Sequence, residues 1–455
     1  MAIHEECGVF GIYDPNGACA DSTYYGLYAL QHRGQESCGI ATINDRELSF
    51  HRSLGLVGDN FTPDILKDLN GTMAVGHVRY ATEGGNRPEN AQPLTLRYVK
   101  GTLAVAHNGN LVNSQELRTK YEYSGAIFHT TTDSELISYA IAQERLRCGS
   151  VEEAVKHAIK SLKGAYSLIV MSPQKLIAAR DPWGFRPLCM GRRGDSVVFA
   201  SESCALDAVG ATFERDIEPG EIVRVFKGEV TSIKEHCNTE KSSLCIFEYI
   251  YFSRPDSKIC GQSVHEARVM AGRYLAKEHP VEADVVIGVP DSGLSAADGY
   301  ALESGIPRVT GFIKNRYIGR TFISPTQAER EKGVRIKLNP QSSVLEGKRV
   351  VMVDDSIVRG TTSNQIVKLL REAGATEVHV RISAPEFIAP CYFGTDIPDK
   401  SGLVSCKHSV EELTGMIGAD SLGFLSLNDL HNIAPDANCG FCDACFTEKY
   451  PVNIE

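Results

Sequence analysis

Two carboxylates and a glycine-threonine turn follow an apolar segment in the second half of the chain. In the string VVMVDDSIVRGTTS, a β-branched strand ends at Asp354 and Asp355, and a turn then leads into a predicted helix over 363–372. The turn consists of Arg359, Gly360, Thr361 and Thr362. Paired carboxylates can accept hydrogen bonds from vicinal ribose hydroxyls, and the N–H groups of a helix N-terminus bind phosphate. The string therefore predicts a site for a ribose phosphate.

This string resembles the phosphoribosyl pyrophosphate signature of type I phosphoribosyltransferases, and the resemblance extends over roughly residues 240–410. By the same resemblance, the residues after VVIGVP form a loop whose backbone N–H groups bind the leaving diphosphate. The segment KNRYIGRTFISPTQAERE resembles the mobile loop that closes over substrate in the amidotransferases of this family. The residues implied in these two loops are Asp291, Ser292, Gly293, Lys314, Arg316 and Arg320.

Loss of pyrophosphate from the anomeric carbon leaves positive charge on the ribose and negative charge on the leaving group. A divalent cation and basic side chains must therefore lie on the diphosphate side. Mg²⁺ prefers oxygen ligands and keeps several waters, so substrate oxygens should supply most of its coordination. The resemblance implies that Ser292, Asp354 and Asp355 bind Mg²⁺ directly or lie close to it.

Four short motifs in the first half occur in an order typical of another enzyme class. They are CGVFGI from Cys7, GHVRYAT with Arg79, AHNGNL with Asn108 and Gly109, and TTDSE with Asp133. Their order and spacing resemble those of the N-terminal-nucleophile glutamine amidotransferases over about residues 7–235. The resemblance implies that this half hydrolyses glutamine.

The implied chemistry needs these residue types. A thiolate at Cys7 attacks the amide, and the α-amino group of the same residue can act as the base if Cys7 is the chain terminus. By resemblance, Arg79 pairs with the substrate carboxylate and Asp133 with its ammonium, while the Asn108 side chain and the Gly109 N–H form an oxyanion hole. His77 and His107 lie in the same motifs beside apolar strand residues, and we expect both to be structural.

The start of the chain, MAIHEEC, separates Met1 from the candidate nucleophile. Six residues must be removed before Cys7 has a free amino group. This feature resembles the propeptide-bearing, Bacillus-like branch of the glutamine phosphoribosylpyrophosphate amidotransferases.

A cysteine cluster near the end has the spacing C-x₂-C-x₂-C at Cys439, Cys442 and Cys445. Three thiols suit a metal centre, but neither their number nor their spacing identifies the metal. The family branch implies a [4Fe–4S] cluster held by Cys245 in CIFEYIYF, Cys391 in CYFG, Cys442 and Cys445. Cys439 is then a spare thiol, although it could exchange roles with Cys442. Structural zinc is the alternative occupant.

The elements needed to position these residues differ between the halves. Up to about residue 235, strand-like segments alternate with turns and with helical stretches near 22–32, 133–147 and 151–162, which favours antiparallel sheets with helices outside. After about residue 260, apolar strands alternate with helices such as 265–278 and 362–373, which is typical of a doubly wound parallel sheet.

The predicted organisation is therefore a propeptide over 1–6, a glutamine amidotransferase domain over 7–235, and a phosphoribosyltransferase domain with a cysteine tail over 236–455. The resemblances imply an α+β N-terminal-nucleophile hydrolase fold, an αββα sandwich, followed by an α/β type I phosphoribosyltransferase fold.

Composition limits the cellular setting and the partners. No apolar run approaches the roughly 20 residues that span a bilayer, and the first residues lack the pattern of a secretory signal. Fourteen cysteines then favour thiols and metal ligands in a cytoplasmic protein over a disulfide framework. A net charge of −10 argues against a broad nucleic-acid surface.

Together the two half-sites predict an enzyme that forms phosphoribosylamine, glutamate and pyrophosphate from glutamine and phosphoribosyl pyrophosphate, in the first committed step of purine synthesis. Another amidotransferase of the same nucleophile class, such as the hexosamine-forming or asparagine-forming kind, would need a different second module. A phosphoribosyltransferase-fold regulator without catalysis is the other alternative, and a glutaminase assay distinguishes such a regulator from the enzyme. The family resemblance also implies a homotetramer inhibited by purine nucleotides.

Overall fold

The structure is a computed structural model that describes residues 7–80, 85–315, 336–397 and 399–454. Strands of the first half, residues 7–235, are β1 (Gly8–Tyr13), β2 (Ser37–Asn44), β3 (Glu47–Leu54), β4 (Met73–Arg79), β5 (Leu94–Tyr98), β6 (Gly101–Leu111), β7 (Gly164–Met171), β8 (Lys175–Arg180), β9 (Cys189–Arg193), β10 (Ser196–Ala200), β11 (Thr212–Asp216), β12 (Ile222–Phe226) and β13 (Glu229–Ile233). Helices described there are α1 (Cys19–Ala29), α2 (Val57–Asn60), α3 (Pro63–Asp68), α4 (Ser114–Tyr123), α5 (Asp133–Arg147), α6 (Val151–Ile159) and α7 (Ser203–Ala208).

These strands form two antiparallel sheets, with the orders β11-β9-β10-β1-β4-β2-β3 and β13-β12-β8-β7-β6-β5. Alternate residues of a strand point to opposite layers. On β1, Val9 packs in the core between the sheets, whereas Phe10 packs in the core beneath α1. On β6, Ala104 faces the other sheet and Val105 packs in the core that contains α5 and α6. The four layers confirm the predicted αββα sandwich.

The sheets approach each other closely at Gly11 of β1. A Cβ atom at this position would lie 2.7 Å from the Cγ2 atom of Ile169 on β7. Glycine therefore permits the sheet separation that brings β1, which begins one residue after Cys7, close to the second sheet.

The second half, residues 236–455, is built around a parallel sheet in the order β17-β20-β21-β22. The strands described in this half are β14 (Leu244–Cys245), β15 (Lys258–Ile259), β16 (Gln262–Ser263), β17 (Val285–Gly288), β18 (Phe312–Lys314), β19 (Leu338–Pro340), β20 (Arg349–Asp354), β21 (Glu377–Ile382), β22 (Ser421–Phe424) and β23 (Phe441–Cys442). Helices described there are α8 (Val264–Glu278), α9 (Leu294–Ser304), α10 (Ser342–Leu345), α11 (Thr361–Glu372), α12 (Val410–Ile417), α13 (Leu427–Leu430) and α14 (Ala444–Thr447).

The segment IPRVTGFIKN departs from the predicted pattern of long parallel strands. It contributes a single parallel bridge between Arg308 and Val286, and then the short strand β18, which pairs antiparallel with β19. Pro307 has no N–H group to extend the ladder along β17, although its carbonyl accepts a hydrogen bond from the Val286 N–H at 2.9 Å.

The two halves share a small apolar core. The rings of Phe185 in the first half and Phe393 in the second are stacked with centroids 4.2 Å apart. The other fully buried members of this core are Ala165, Cys442, Ala444 and Val452. The predicted boundary at 235/236 falls between β13 and β14, and it remains a prediction. Across the described ranges, no helix is both long and apolar enough to cross a membrane.

Candidate active site

The candidate nucleophile immediately precedes β1, a central strand of the first sheet. Cys7 is half-buried, and its Sγ atom lies 3.5 Å from the carbonyl oxygen of Tyr80. Because Gly8 pairs with Val78 on β4, the next residue of β4, Arg79, lies beside Cys7. The Arg79 side chain is buried, and its guanidinium donates a hydrogen bond to the Gly85 carbonyl at 3.0 Å. The structure thus brings the thiol and the guanidinium predicted to bind glutamine to one end of the sheet.

The candidate oxyanion hole lies on β6 of the facing sheet. Asn108 is 1% exposed, and neither its side-chain nitrogen nor its side-chain oxygen has a hydrogen-bond partner in the described part of the chain. Gly109 has a φ of +144°, and a Cβ atom there would lie 2.1 Å from the Ala165 oxygen. A buried amide without a partner costs about 1–3 kcal/mol, so its retention at this position points to a ligand that completes its hydrogen bonds.

A histidine joins the two sheets behind this site. The His77 Nε2 atom on β4 lies 2.9 Å from the carbonyl oxygen of His107 on β6, next to Asn108. Burial lowers the pKa of His77 to about 3, so the ring is neutral. The Nδ1 atom of His107 lies 3.0 Å from the Ser134 hydroxyl, and its Nε2 atom lies 3.3 Å from the Ala165 oxygen. These are contacts of structural histidines, in agreement with the prediction.

Asp133 is the first residue of α5 and is buried close to β6. Its Oδ2 atom accepts a hydrogen bond from the Leu111 N–H at 2.9 Å, and its Oδ1 atom lies 3.6 Å from His107 Nδ1. Burial acts to raise the pKa of Asp133, but the His107 imidazole and the Leu111 N–H outweigh burial and lower it below its usual value. The carboxylate is therefore ionised and able to bind an ammonium group.

The predicted ribose site lies where β17 and β20 end side by side. The Ser292 hydroxyl donates to Asp355 Oδ1 at 2.6 Å, and the Asp355 N–H donates to Asp354 Oδ1 at 2.9 Å. Burial, followed by the charge of Asp355, raises the pKa of Asp354 well above its usual value. Lys314 forms an ion pair with Asp291. The structure therefore brings the three candidate Mg²⁺ residues together at one edge of the parallel sheet.

The predicted phosphate turn precedes α11. Gly360 is the N-cap with a φ of +76°, and Thr361 and Thr362 form the exposed first turn of the helix. Arg359 is exposed beside them. Gly293 lies in a different loop, between β17 and α9, where a Cβ atom would approach the Val353 oxygen to 2.3 Å. The other two predicted members of this site, Arg316 and Arg320, lie outside the described residues.

The four cysteines assigned to a cluster line one small cavity. Cys245 and Cys442 are register partners in the parallel pair β14 and β23, and the Cys445 oxygen accepts a hydrogen bond from the Ile388 N–H at 3.0 Å. Burial, then the neighbouring Cys245, Cys391 and Cys442, raises the pKa of Cys445 well above its usual value. Four thiols gathered in one apolar cavity fit a metal group that binds them as thiolates.

Within the described ranges, no three His, Cys, Asp or Glu side chains converge closely enough to hold a single ion. Cys439 does not line the cavity and lies beside Cys260, whose carbonyl oxygen accepts a hydrogen bond from the Asn438 N–H at 2.8 Å.

Sequence reasoning missed several buried charged residues next to these sites. Arg33 donates a hydrogen bond to the Cys7 carbonyl oxygen at 3.1 Å and pairs with Glu202 and Glu248. Arg186 donates to the Phe393 oxygen at 2.7 Å. One signal was available, because Glu248 is an isolated acidic residue within the apolar string CIFEYIYF.

The chain matches two domain families, in the order predicted from its motifs. Residues 77–208 match the glutamine amidotransferase domain family, and residues 262–385 match the phosphoribosyl transferase domain family. Curated relatives cover nearly the whole chain. The amidophosphoribosyltransferase of Bacillus subtilis is 51% identical, with 99% of this chain and 95% of the relative aligned, and that of Methanocaldococcus jannaschii is 49% identical, with 98% of each aligned.

Solved structures agree with this assignment. The glutamine phosphoribosylpyrophosphate amidotransferase from B. subtilis, complexed with ADP and GMP, superimposes with a TM-score of 0.91 at 50% identity, covering 99% of this chain and 98% of that one. A structure described as the allosteric regulatory enzyme of purine biosynthesis gives a TM-score of 0.92 at 50% identity, covering 99% and 97%. Relatives with both modules rule out the two alternatives considered from the sequence. The chain therefore belongs to the amidophosphoribosyltransferase family.

Proposed function

We propose that this chain moves the amide nitrogen of glutamine from a site at Cys7 to phosphoribosyl pyrophosphate bound at Asp354 and Asp355. The products are 5-phosphoribosylamine, glutamate and pyrophosphate, the output of the first committed step of purine synthesis. The observation that carries the proposal is a direct contact between the sheet that carries the candidate oxyanion hole and the second half of the chain. On the strand that bears Asn108, the Asn110 side chain donates a hydrogen bond to the Tyr392 oxygen of the second half at 3.0 Å.

In the first half-site, the Cys7 thiolate attacks the glutamine amide carbon, and ammonia leaves as a thioester forms. Water then cleaves the thioester, which releases glutamate and regenerates the Cys7 thiol. The α-amino group of Cys7 takes up and returns the proton once Met1 to Glu6 have been removed, and those six residues lie outside the described part of the chain. Arg79 binds the substrate carboxylate and Asp133 its ammonium group. Asn108 Nδ2 and the Gly109 N–H stabilise the oxyanion, which is supported by the Asn108 amide having no hydrogen-bond partner among the described residues.

In the second half-site, Asp354 and Asp355 accept hydrogen bonds from the ribose hydroxyls. The turn of Arg359, Gly360, Thr361 and Thr362 binds the 5-phosphate, with the N–H groups of the helix N-terminus as donors. The diphosphate is bound by the loop residues Asp291, Ser292 and Gly293 and by the basic residues Lys314, Arg316 and Arg320.

The family is metal-dependent, and the oxygen-only donor set of Ser292, Asp354 and Asp355 fits Mg²⁺. When bound, Mg²⁺ neutralises charge on the departing diphosphate. The raised pKa of Asp354 supports this role, because a buried carboxylate pair gains most from a cation or from hydroxyl donors.

Cys245, Cys391, Cys442 and Cys445 would hold a [4Fe–4S] cluster, and their common cavity supports this assignment. The reaction contains no redox step, so a cluster bound by these four cysteines would fasten the tail to the rest of the chain. Zinc is the competing occupant, and metal analysis distinguishes the two.

Partners follow from the same assignment. The B. subtilis relative was solved with ADP and GMP, and we extend purine-nucleotide feedback at or near the phosphoribosyl site to this chain. We also propose that the chain forms a homotetramer and is located in the cytoplasm. The net charge of −10 remains unfavourable for nucleic-acid binding.

The proposal is tested by supplying glutamine, phosphoribosyl pyrophosphate and Mg²⁺ and measuring glutamate and pyrophosphate together. Equal yields are expected, and Cys7→Ala should abolish glutamine use but spare synthesis from ammonium. Intact-mass measurement should show a chain that begins at Cys7. A fully glutamine-active enzyme that retains Met1 to Glu6 would refute the terminal-nucleophile mechanism.

A further inference from the structure

The peptide of the candidate nucleophile is held by a buried arginine. Arg33 is 0% exposed and follows α1, and its Nε atom donates a hydrogen bond to the Cys7 carbonyl oxygen at 3.1 Å. The remaining guanidinium nitrogens face two carboxylates. Nη1 lies 2.7 Å from Glu202 and 2.9 Å from Glu248, and Nη2 lies 2.8 Å from the other oxygen of Glu248. The orientation of the guanidinium is therefore set by the bidentate pair with Glu248.

Glu248 comes from the other half of the chain. It is 0% exposed, and it also accepts a hydrogen bond from the Ser253 hydroxyl at 2.6 Å and lies 3.5 Å from Arg186 Nη1. Burial acts to raise the pKa of Glu248, but the charges of Arg33 and Arg186 outweigh it and lower the pKa. The carboxylate is thus a fixed negative charge at the boundary between the halves.

The turn that carries Glu248 is itself held in place by an arginine of α8. Arg268 donates hydrogen bonds to the carbonyl oxygens of Tyr249, Tyr251 and Ser253 at 2.8, 2.9 and 2.7 Å. Glu248 therefore has little freedom to move toward or away from Arg33.

Stability alone does not account for this arrangement. Removing several charges from water is costly, and a buried ion network is often no more stabilising than well-packed apolar residues of the same volume. A bidentate pair does fix the orientation of the guanidinium, however, and here the remaining donor, Nε, binds the carbonyl oxygen of Cys7.

We propose that Glu248 is a positioning residue of the glutaminase site, which acts across the domain boundary through Arg33 on the peptide of Cys7. This inference rests on the proposed role of Cys7 as the nucleophile. Glu248 fixes the plane of the Arg33 guanidinium, Arg33 fixes the Cys7 carbonyl, and the carbonyl fixes the backbone from which the thiol projects. Glutamine binding uses Arg79 and Asp133, which lie outside this network, so the effect falls on turnover.

The test uses the full-length enzyme with Glu248→Gln, which keeps the shape of the side chain and removes its charge. Misplacement of a reacting group by about 1 Å can cost about 100-fold in rate. We expect the glutamine-dependent kcat to fall by about this factor, with KM for glutamine within about threefold and ammonium-dependent synthesis near the unmodified level. Glu248→Asp retains the charge on a shorter side chain and should recover part of the loss.

Glu221→Gln is the matched control. Glu221 is also 0% exposed and forms a bidentate pair with Arg215 at 2.7 Å for both contacts, but this pair does not contact Cys7. The control should leave both activities unchanged. The inference is overturned if Glu248→Gln keeps its glutamine-dependent kcat within threefold, or if Glu221→Gln shows the same selective loss.

A second variant covers failure of Glu248→Gln to fold, which would show as loss of ammonium-dependent synthesis. Arg33→Lys keeps the positive charge but lacks the bidentate guanidinium. Its glutamine-dependent kcat should fall while its ammonium-dependent synthesis stays near the unmodified level. The inference is overturned if this variant retains the same fraction of activity with both nitrogen sources. Cys7→Ala tests the proposed function separately from the role of Glu248, because glutamine use by that variant would contradict the proposed function itself.

Discussion

Asn108 offers a substitution whose effects on stability and activity should have opposite signs. Both polar atoms of its buried side chain are without a hydrogen-bond partner in the described part of the chain. Asn108→Leu replaces the amide by an apolar group of similar size. Because an unsatisfied buried polar group costs about 1–3 kcal/mol, we expect the free energy of unfolding to rise by up to that amount.

The same substitution removes a donor from the candidate oxyanion hole. Loss of one such donor typically lowers kcat by about 100- to 1000-fold, or roughly 3–4 kcal/mol of transition-state stabilisation. Glutamine hydrolysis should therefore fall by this factor. Synthesis from ammonium should persist, since free ammonia needs no oxyanion hole.

The assay pairs denaturant unfolding with both activity measurements, and Asn90→Leu is the control. Asn90 is also fully buried, but its side chain donates to the Thr131 hydroxyl at 3.0 Å and accepts from the Thr131 N–H at 3.2 Å. That variant should lose stability, because it removes the hydrogen bonds between Asn90 and Thr131. The reasoning fails if Asn108→Leu is destabilised as much as Asn90→Leu, or if it hydrolyses glutamine at the unmodified rate.

Three further predictions concern other parts of the chain. Asp354→Asn or Asp355→Asn should cripple ribosyl transfer and leave basal glutaminase measurable, and equal loss of both activities in a folded variant would reject that separation. Protein purified without oxygen should contain about four irons per chain, with Cys245→Ser or Cys391→Ser losing them, whereas stoichiometric zinc would contradict the cluster. The pKa of His77 is about 3 in the folded state and near 6.5 in the unfolded state. Below pH 6.5 protons therefore bind the unfolded state preferentially, and the free energy of unfolding should fall by about 2 kcal/mol from pH 7 to 5. The same pH dependence of the unfolding free energy in His77→Gln would disprove this.

Local features of the sequence determined much of what could be predicted. The helix expected over 133–147 is α5 with the same bounds, and the helix expected over 265–278 begins one residue earlier at Val264. The Asp354 and Asp355 pair follows a strand that is recognisable from its β-branched residues. Hydrophobic periodicity and turn-forming residues act over a few positions, so these elements can be recognised in the sequence without tertiary information.

The parts that could not be predicted depend on contacts between distant residues. Arg33 and Glu248 are 215 positions apart, and nothing next to either residue indicates the other. The hydrogen bond between Asn110 and Tyr392 joins positions 282 apart. Such pairs depend on how the two halves pack together, which no local pattern encodes.

The contact between Arg186 and the Phe393 oxygen has a consequence for how the chain is made. The two residues are 207 positions apart, and at roughly 5–20 residues per second the ribosome needs on the order of ten to forty seconds to synthesise the intervening segment. During that time Phe185 and Arg186 are already in a nascent domain, yet they have neither the stacking ring nor the carbonyl that completes their surroundings. The surroundings of Phe185 and Arg186 are therefore completed only after residue 393 has emerged, and a truncated product released earlier lacks both contacts.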